Sequence, residues 1–234
     1  MNFMSKNKYK PSLYIFIISL FIFSLKWILS FNHFPNEDLS IKIINDSFKD
    51  SYMYFHYIKS IADFNFQNIF HSVSSEGGLM SVPYGAILIH AIFYKIFGIS
   101  SFIFLELLSI FLFLTIFFLI LKKLEFDFIS AIFLCLIAFF SPLIISYLNY
   151  FEIVELNTFA NNFYNLRFPR PLVANLFLFY FIYLIIEFNL EKPIKQKTLI
   201  KIAVLMSLSL SSFYFFFITE IIVFLLVFLK KIKE

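Results

Sequence analysis

Long runs of apolar residues, separated by short polar segments, dominate this chain and limit the folds that it can adopt. Hydrophobic residues make up 61% of the sequence and charged residues 15%, so a soluble domain would lack polar side chains to cover its surface. Backbone that lies in lipid must satisfy its own hydrogen bonds, which an apolar run does as a helix. The sequence therefore predicts an all-α fold, a polytopic transmembrane helical bundle, with residues 1–234 forming a single transmembrane domain.

The lysines indicate how the chain is oriented in the membrane. Its net charge is +4, but the lysines lie in short clusters beside the apolar runs, which is typical of topology signals and not of nucleic-acid binding. We therefore predict the lipid bilayer as a partner and no nucleic acid. The first run, residues 12–31, follows the basic segment Lys6 to Lys10, which predicts a retained signal anchor in a bacterial inner (plasma) membrane with a cytoplasmic N-terminus. Lys26 lies near the outer end of this run, where it can snorkel to water.

Two apolar runs follow the first polar segment, at residues 82–98 and 101–121. If both crossed the membrane, the later lysine clusters would lie outside. A single crossing by residues 101–121 keeps those clusters inside, as the positive-inside rule prefers. We therefore expect a first external loop at residues 32–81, followed by a juxtamembrane or re-entrant helix at residues 82–98.

Later apolar runs, at residues 128–148 and 171–190, enclose a second external loop at residues 149–170. The last run, residues 202–229, is long for one crossing of about 20 residues. One crossing would also place the lysines that follow it outside. Two shorter segments that meet around Ser211 and Ser212 are the alternative, and the sequence leaves this topology open.

The first external loop is where water-based chemistry is expected, because residues 31–81 contain six of the 15 carboxylates and three of the four histidines. Residues 50–63 are predicted to form a helix with two different sides. One side carries Asp50, Tyr54, Tyr57 and Ile61, and the other carries His56, Lys59 and Asp63. Asp50 then lies on the aromatic side, where it could serve as a general base or cap the helix N-terminus.

The order of these features resembles that of the GT-C superfamily, membrane glycosyltransferases that use polyprenyl-phosphate or polyprenyl-diphosphate sugar donors. The resemblance covers about the first 125 residues and rests on Asp50-Ser51-Tyr52-Met53-Tyr54, on Val82-Pro83-Tyr84-Gly85 and on Ile96-Phe97-Gly98. It implies an active-site role for Asp50, as a base or as a ligand of a divalent metal (Mg or Mn). Many members have Asp-Glu or Asp-Pro where this chain has Asp50-Ser51. The chain is also shorter than typical members, which leaves room for a second chain that completes the enzyme.

Other candidate site residues come from both external loops. Arg167 and Arg170, next to prolines, suit recognition of the phosphate of a polyprenyl-phosphate-linked sugar donor, and interfacial anchoring is the alternative. Tyr54 and Tyr57 would line the sugar site. His71 and Glu76 are candidates for substrate binding, and solvated loop residues are the alternative, since their spacing fits no metal motif.

The leading hypothesis is therefore a GT-C-like glycosyltransferase that works at the outer membrane face. The alternative is a non-catalytic polytopic membrane protein, either a transporter or flippase fragment or a scaffold subunit. Glu106 and Glu220 bear on this choice because they lie within apolar runs, where an ionisable residue is either functional or bonded to a neighbouring group.

Overall fold

The computed structural model describes residues 10–33, 38–47, 53–65, 84–150, 172–190 and 195–233. These residues are helical apart from short connections, and they contain no strand. The helices are α1 (Lys10–His33), α2 (Leu39–Ser47), α3 (Met53–Ala62), α4 (Tyr84–Phe97), α5 (Ser101–Lys123), α6 (Phe128–Tyr150), α7 (Leu172–Leu190), α8 (Gln196–Ser212) and α9 (Tyr214–Lys233). The predicted all-α helical fold is confirmed.

Several of these helices are suited to lipid. Within the described residues, three stretches are long and apolar enough to cross a membrane, namely Pro11–Ile28, Tyr84–Lys123 and Val173–Leu190. Large apolar side chains also remain exposed along the helices, as with Phe21 on α1 and Phe215 on α9, each 67% exposed. Apolar surface of this kind needs a lipid or protein covering. The structure is therefore that of a membrane-embedded helical protein.

Helix α4 is a separate element from the long helix α5. It has 14 residues and extends about 21 Å, which is short of the hydrocarbon thickness of about 30 Å. A short 3₁₀ turn, Gly98–Ser100, joins it to α5, and Gly98 has a φ of 59°, in the left-handed region that glycine adopts most readily. A helix separate from α5 is therefore present at Tyr84–Phe97. The juxtamembrane or re-entrant position predicted for residues 82–98 stays a prediction.

The contacts divide the chain into two compact units. The first combines α1, α5 from Glu106 onward, and α6. Edge-to-face ring pairs join its helices: Phe16 lies 5.7 Å from Phe111, and Tyr14 lies 5.9 Å from Phe128. The thiol of Cys135 is buried, as expected for a packing residue. Aromatic and aliphatic packing thus holds the long helices of this unit together.

The second unit contains α2, α3, α4, the start of α5, and α7 to α9. Its core is an apolar cluster contributed by α4, α7 and α8. The buried members are Ala86, Val173, Phe177, Phe181, Leu184, Ile185, Phe188, Ile202 and Leu205. Side chains of α9, including Phe224 and Phe228, pack against this cluster.

Helices α8 and α9 form a hairpin, which we call the α8–α9 hairpin. Only five residues separate α7 from α8, so these packed neighbours are antiparallel. Phe213 is extended (φ −154°, ψ 98°) and ends α8. Near the far end of α9, Lys231 donates a hydrogen bond to the Phe188 carbonyl in the last turn of α7, so α9 runs back along α8. The apolar run at residues 202–229 is therefore two helical segments, and the lysines at its end lie near the lysines that begin α8.

Gly85 allows α4 to approach the end of α8 closely. A Cβ at Gly85 would lie 2.4 Å from Ser211 Oγ, 2.5 Å from Ser212 Oγ and 3.1 Å from the Leu208 carbonyl oxygen. We expect Gly85→Ala to push α4 away from α8 and to destabilise the protein by about 1–3 kcal/mol. The melting temperature of the purified protein in detergent measures this effect. Adding Ser211→Ala and Ser212→Ala should recover most of the loss, and an unchanged melting temperature of Gly85→Ala would contradict the packing.

Asp127 caps the N-terminus of α6. Its Oδ2 accepts the backbone N–H of Ser130 at 3.0 Å, and the hydroxyl and N–H groups of Ser130 lower the pKa of the Asp127 carboxyl. We expect Asp127→Ala to speed amide hydrogen exchange in the first turn of α6, whereas Asp127→Asn keeps an acceptor and changes it less. Because the pKa of Asp127 is lowered in the folded protein, its carboxylate should protect these amides from exchange at neutral pH. This protection should be lost as the pH falls through that pKa. Equal exchange in both variants and the wild type would exclude the cap.

Candidate functional site

Two of the seven residues predicted for the site lie within the part of the chain that the structure describes. Tyr54 and Tyr57 both belong to α3, and Tyr54 is half-buried whereas Tyr57 is only 3% exposed. The other five lie outside the described residues: Asp50, His71, Glu76, Arg167 and Arg170. Their roles stay predictions.

The two sides predicted for residues 50–63 are present over the described part of that segment. Tyr57 and Ile61 are buried, whereas the opposite side is exposed at His56, Lys59 and Asp63. The buried side packs on α4. Burial of an apolar side and exposure of a charged side is what the helical period predicts, and this prediction is confirmed for residues 53–63.

Aromatic rings fix α3 on α4 and on the start of α5. Phe55 of α3 lies 5.9 Å from Tyr94 and 6.0 Å from Phe102, and His90 lies 6.0 Å from Phe102. The Nδ1 atom of His90 is 2.9 Å from the Ala86 carbonyl oxygen. We call these four residues, Phe55, His90, Tyr94 and Phe102, the aromatic cluster. It holds α3, the helix that carries the half-buried Tyr54, on α4. A tyrosine can offer both a ring face and a hydroxyl to a ligand.

An exposed ion pair adds little to this arrangement. Lys95 Nζ of α4 lies 3.8 Å from Asp63 Oδ1, just after α3, and both side chains are more than half exposed. Exposed pairs contribute at most about 1 kcal/mol. The aromatic cluster and the apolar side of α3 therefore hold the two helices together.

The first unit contains a buried polar group that the sequence did not reveal. Lys26 Nζ of α1 donates to Glu106 Oε1 of α5 at 2.7 Å, and Trp27 Nε1 donates to Glu106 Oε2 at 2.9 Å. The ammonium group also lies 4.3 Å from the centre of the Trp27 ring. We call Lys26, Trp27 and Glu106 the polar triad.

The polar triad corrects one expectation about Lys26. Its side chain does not snorkel to water, because it is buried and paired with Glu106, which is only 1% exposed. Each carboxylate oxygen of Glu106 accepts a hydrogen bond, which offsets the cost of burying its negative charge. The sequence did contain a signal for this pair, because it has opposite charges in two separate apolar runs. Each charge would be costly in lipid without the other.

Glu220 of α9 is the other glutamate that is buried among the described residues. It is 0% exposed, and its Oε1 accepts a hydrogen bond from Ser209 Oγ of α8 at 2.6 Å. A bond to a neighbouring serine was one of the two alternatives for this residue, and the structure confirms it. This bond links the two helices of the α8–α9 hairpin below the turn at Phe213.

A metal site was expected only at Asp50, which lies outside the described residues. Among the described residues, no group of three or more His, Cys, Asp or Glu side chains could hold a metal ion. The described residues therefore provide no donor set for a metal ion.

Comparisons with protein-family models, with curated proteins and with solved structures give no match to this chain.

The polar triad makes a prediction about stability. Glu106→Gln should leave the buried Lys26 ammonium without a counter-charge and destabilise the protein by about 3–5 kcal/mol. Adding Lys26→Met removes the unpaired charge, so the double variant should be more stable than Glu106→Gln. Reversible unfolding in mixed detergent micelles measures the free energies of the wild type, Glu106→Gln, Lys26→Met and the double variant. Additive effects of the two substitutions would show that the residues do not interact.

Proposed function

We propose that this protein is a GT-C-like membrane glycosyltransferase, or one part of such an enzyme, which transfers a sugar from a polyprenyl-phosphate donor to an acceptor at the outer membrane face. The observation that carries the proposal is the two-sided helix α3, which packs on the short helix α4 with Phe55 at 5.9 Å from Tyr94. The resemblance in sequence predicts this combination, a helix after an acidic residue followed by a separate juxtamembrane helix. The support is therefore a match between the predicted and the observed order of elements in this part of the chain.

The proposed roles follow from residue chemistry. Asp50 would accept the proton of the acceptor hydroxyl or bind a divalent metal, and Arg167 and Arg170 would hold the donor phosphate through paired N–H donors. Tyr54 would contact the sugar, and the buried Tyr57 would shape the floor of the same site. We assign substrate contacts also to His71 and Glu76.

The positive-inside rule gives the proposed orientation. In the α8–α9 hairpin, Lys230 and Lys231 lie at the same end of the second unit as Lys197 and Lys201, so one cytoplasmic face would account for both clusters. The opposite end, near Phe213 and the start of α4, would then face outward. This orientation agrees with a cytoplasmic N-terminus in a bacterial inner membrane.

Asp50→Asn tests the catalytic assignment. The protein, in membranes that contain its partner chains, would be supplied with polyprenyl-phosphate-linked hexose or pentose, and sugar-free polyprenyl phosphate would be measured by mass spectrometry. Loss of a general base should slow transfer by about 10²–10⁴-fold.

The matched control is Asp63→Asn, which makes the same charge change on the exposed side of α3 and should leave transfer near the wild-type rate. Full activity of Asp50→Asn would refute the catalytic role of this residue. Failure of the wild type to consume either donor would refute the proposed function itself.

The second candidate is a membrane transport function, and the observation that favours it is the burial of two glutamates in apolar helices. Glu106 is bonded to Lys26 and Trp27, which is the arrangement of a structural ion pair. Glu220 has no such cation among its described hydrogen-bond partners, and it therefore requires a separate explanation.

A further inference from the structure

The two buried glutamates have very different surroundings, although both lie in helices that are apolar on the outside. Glu106 receives two donors, of which one is a cation, and each donor bonds a different carboxylate oxygen. Glu220 receives one donor, the neutral hydroxyl of Ser209. Its second oxygen, Oε2, is buried and has no hydrogen-bond partner among the described residues. The surroundings therefore stabilise a negative charge on Glu106 and do not stabilise one on Glu220.

We propose that Glu220 is a proton-binding site within the α8–α9 hairpin, where it is held as a neutral carboxylic acid. A buried carboxylate with a single neutral donor loses most of its solvation without an opposite charge to replace it, whereas a neutral acid avoids that cost. The neutral acid can still accept the Ser209 hydrogen bond at Oε1. The charge that lipid would penalise is removed by the proton.

The charged groups on the helices around Glu220 lie at a distance from its carboxyl group. Helix α4 also packs on α8, and its buried His90 is not hydrogen-bonded to Glu220, whose Oε1 is bonded to Ser209 and whose Oε2 has no hydrogen-bond partner among the described residues. The described lysines of α8 and α9 lie about 12–18 Å along the helices from Ser209 and Glu220, at about 1.5 Å per residue. On α7, α8 and α9 the described charges all lie toward the helix ends away from Phe213. They are Glu187, Lys197, Lys201, Lys230 and Lys231. No described charge is therefore positioned to replace the proton.

Serines connect this site with the end of the hairpin. Ser209 and Ser212 lie one turn apart on α8 and are both buried, and Ser212 Oγ has no hydrogen-bond partner among the described residues. Glu220 lies about 10 Å along α9 from Phe213. Hydroxyl groups can both donate and accept hydrogen bonds, so these two serines place hydrogen-bonding groups between the turn at Phe213 and Glu220. A metal ion would instead need several oxygen ligands, and the described contacts of Glu220 provide one hydroxyl.

The test compares two isosteric variants, Glu220→Gln and Glu106→Gln, in the full-length protein in lipid nanodiscs at neutral pH. Infrared spectroscopy detects the carbonyl stretch of a protonated carboxyl group, which an ionised carboxylate lacks. We expect this band in the wild type, its loss in Glu220→Gln and its retention in Glu106→Gln. Because glutamine reproduces a neutral acid in shape, Glu220→Gln should also keep the wild-type melting temperature, whereas Glu106→Gln should lower it.

A hydrophobic carbodiimide provides a second measurement. The acid proton moves to a carbodiimide nitrogen while the carboxyl oxygen bonds to the central carbon, so only a protonated carboxyl group starts this reaction. Peptide mass spectrometry should then find the adduct at Glu220 and not at Glu106.

Three results would overturn the proposal. One is a wild-type spectrum without a protonated-carboxyl band. Another is a band that persists in Glu220→Gln. The third is a band that disappears when sodium ions are added at constant pH, which would assign the site to a metal cation. None of these results depends on sugar transfer, so the proton site and the proposed enzyme are tested independently.

Discussion

Lipid offers no partners to charged groups, and this constraint explains the most specific contacts of the protein. In the first unit, an ammonium group and a carboxylate from helices far apart in sequence bond to each other, and an indole N–H satisfies the second carboxylate oxygen. Apolar packing alone tolerates many registers between two helices. An ion pair with directional hydrogen bonds tolerates few, so the polar triad fixes how α1 lies along α5.

In the second unit, short helices lie very close together. Gly85 lets α4 touch the serine-rich end of α8, and Gly98 lets the chain leave α4 in a left-handed conformation before α5 begins. The aromatic cluster then fixes α3 on α4. Two glycines and a group of rings therefore position the segment that carries Tyr54 and Tyr57, the two predicted site residues whose surroundings are described.

Local patterns in the sequence were sufficient for some of these features. Apolar runs predicted the helices, and the helical period predicted which side of α3 is buried, because both depend on residues a few positions apart. The partner of Lys26 could not be predicted in this way, since Glu106 is 80 positions away and only the fold brings the two together. The break at Phe213 was one of two alternatives, because no proline or glycine marks it. The signals were the length of the run, the lysines that follow it, and Ser211 and Ser212. The roles of Asp50, Arg167 and Arg170 remain predictions, since these residues lie outside the described part of the chain.

The single extended residue at Phe213 has a consequence for how the end of the chain enters the bilayer. Since α8 and α9 turn back on each other with one residue between them, and both carry their lysines at the same end, no hydrophilic segment must be carried across the lipid. Helix α8 begins with lysines and contains several serines, so it would partition weakly by itself. Paired with α9, it can enter lipid as one helical hairpin led by an aromatic tip, while both basic ends stay at one membrane surface.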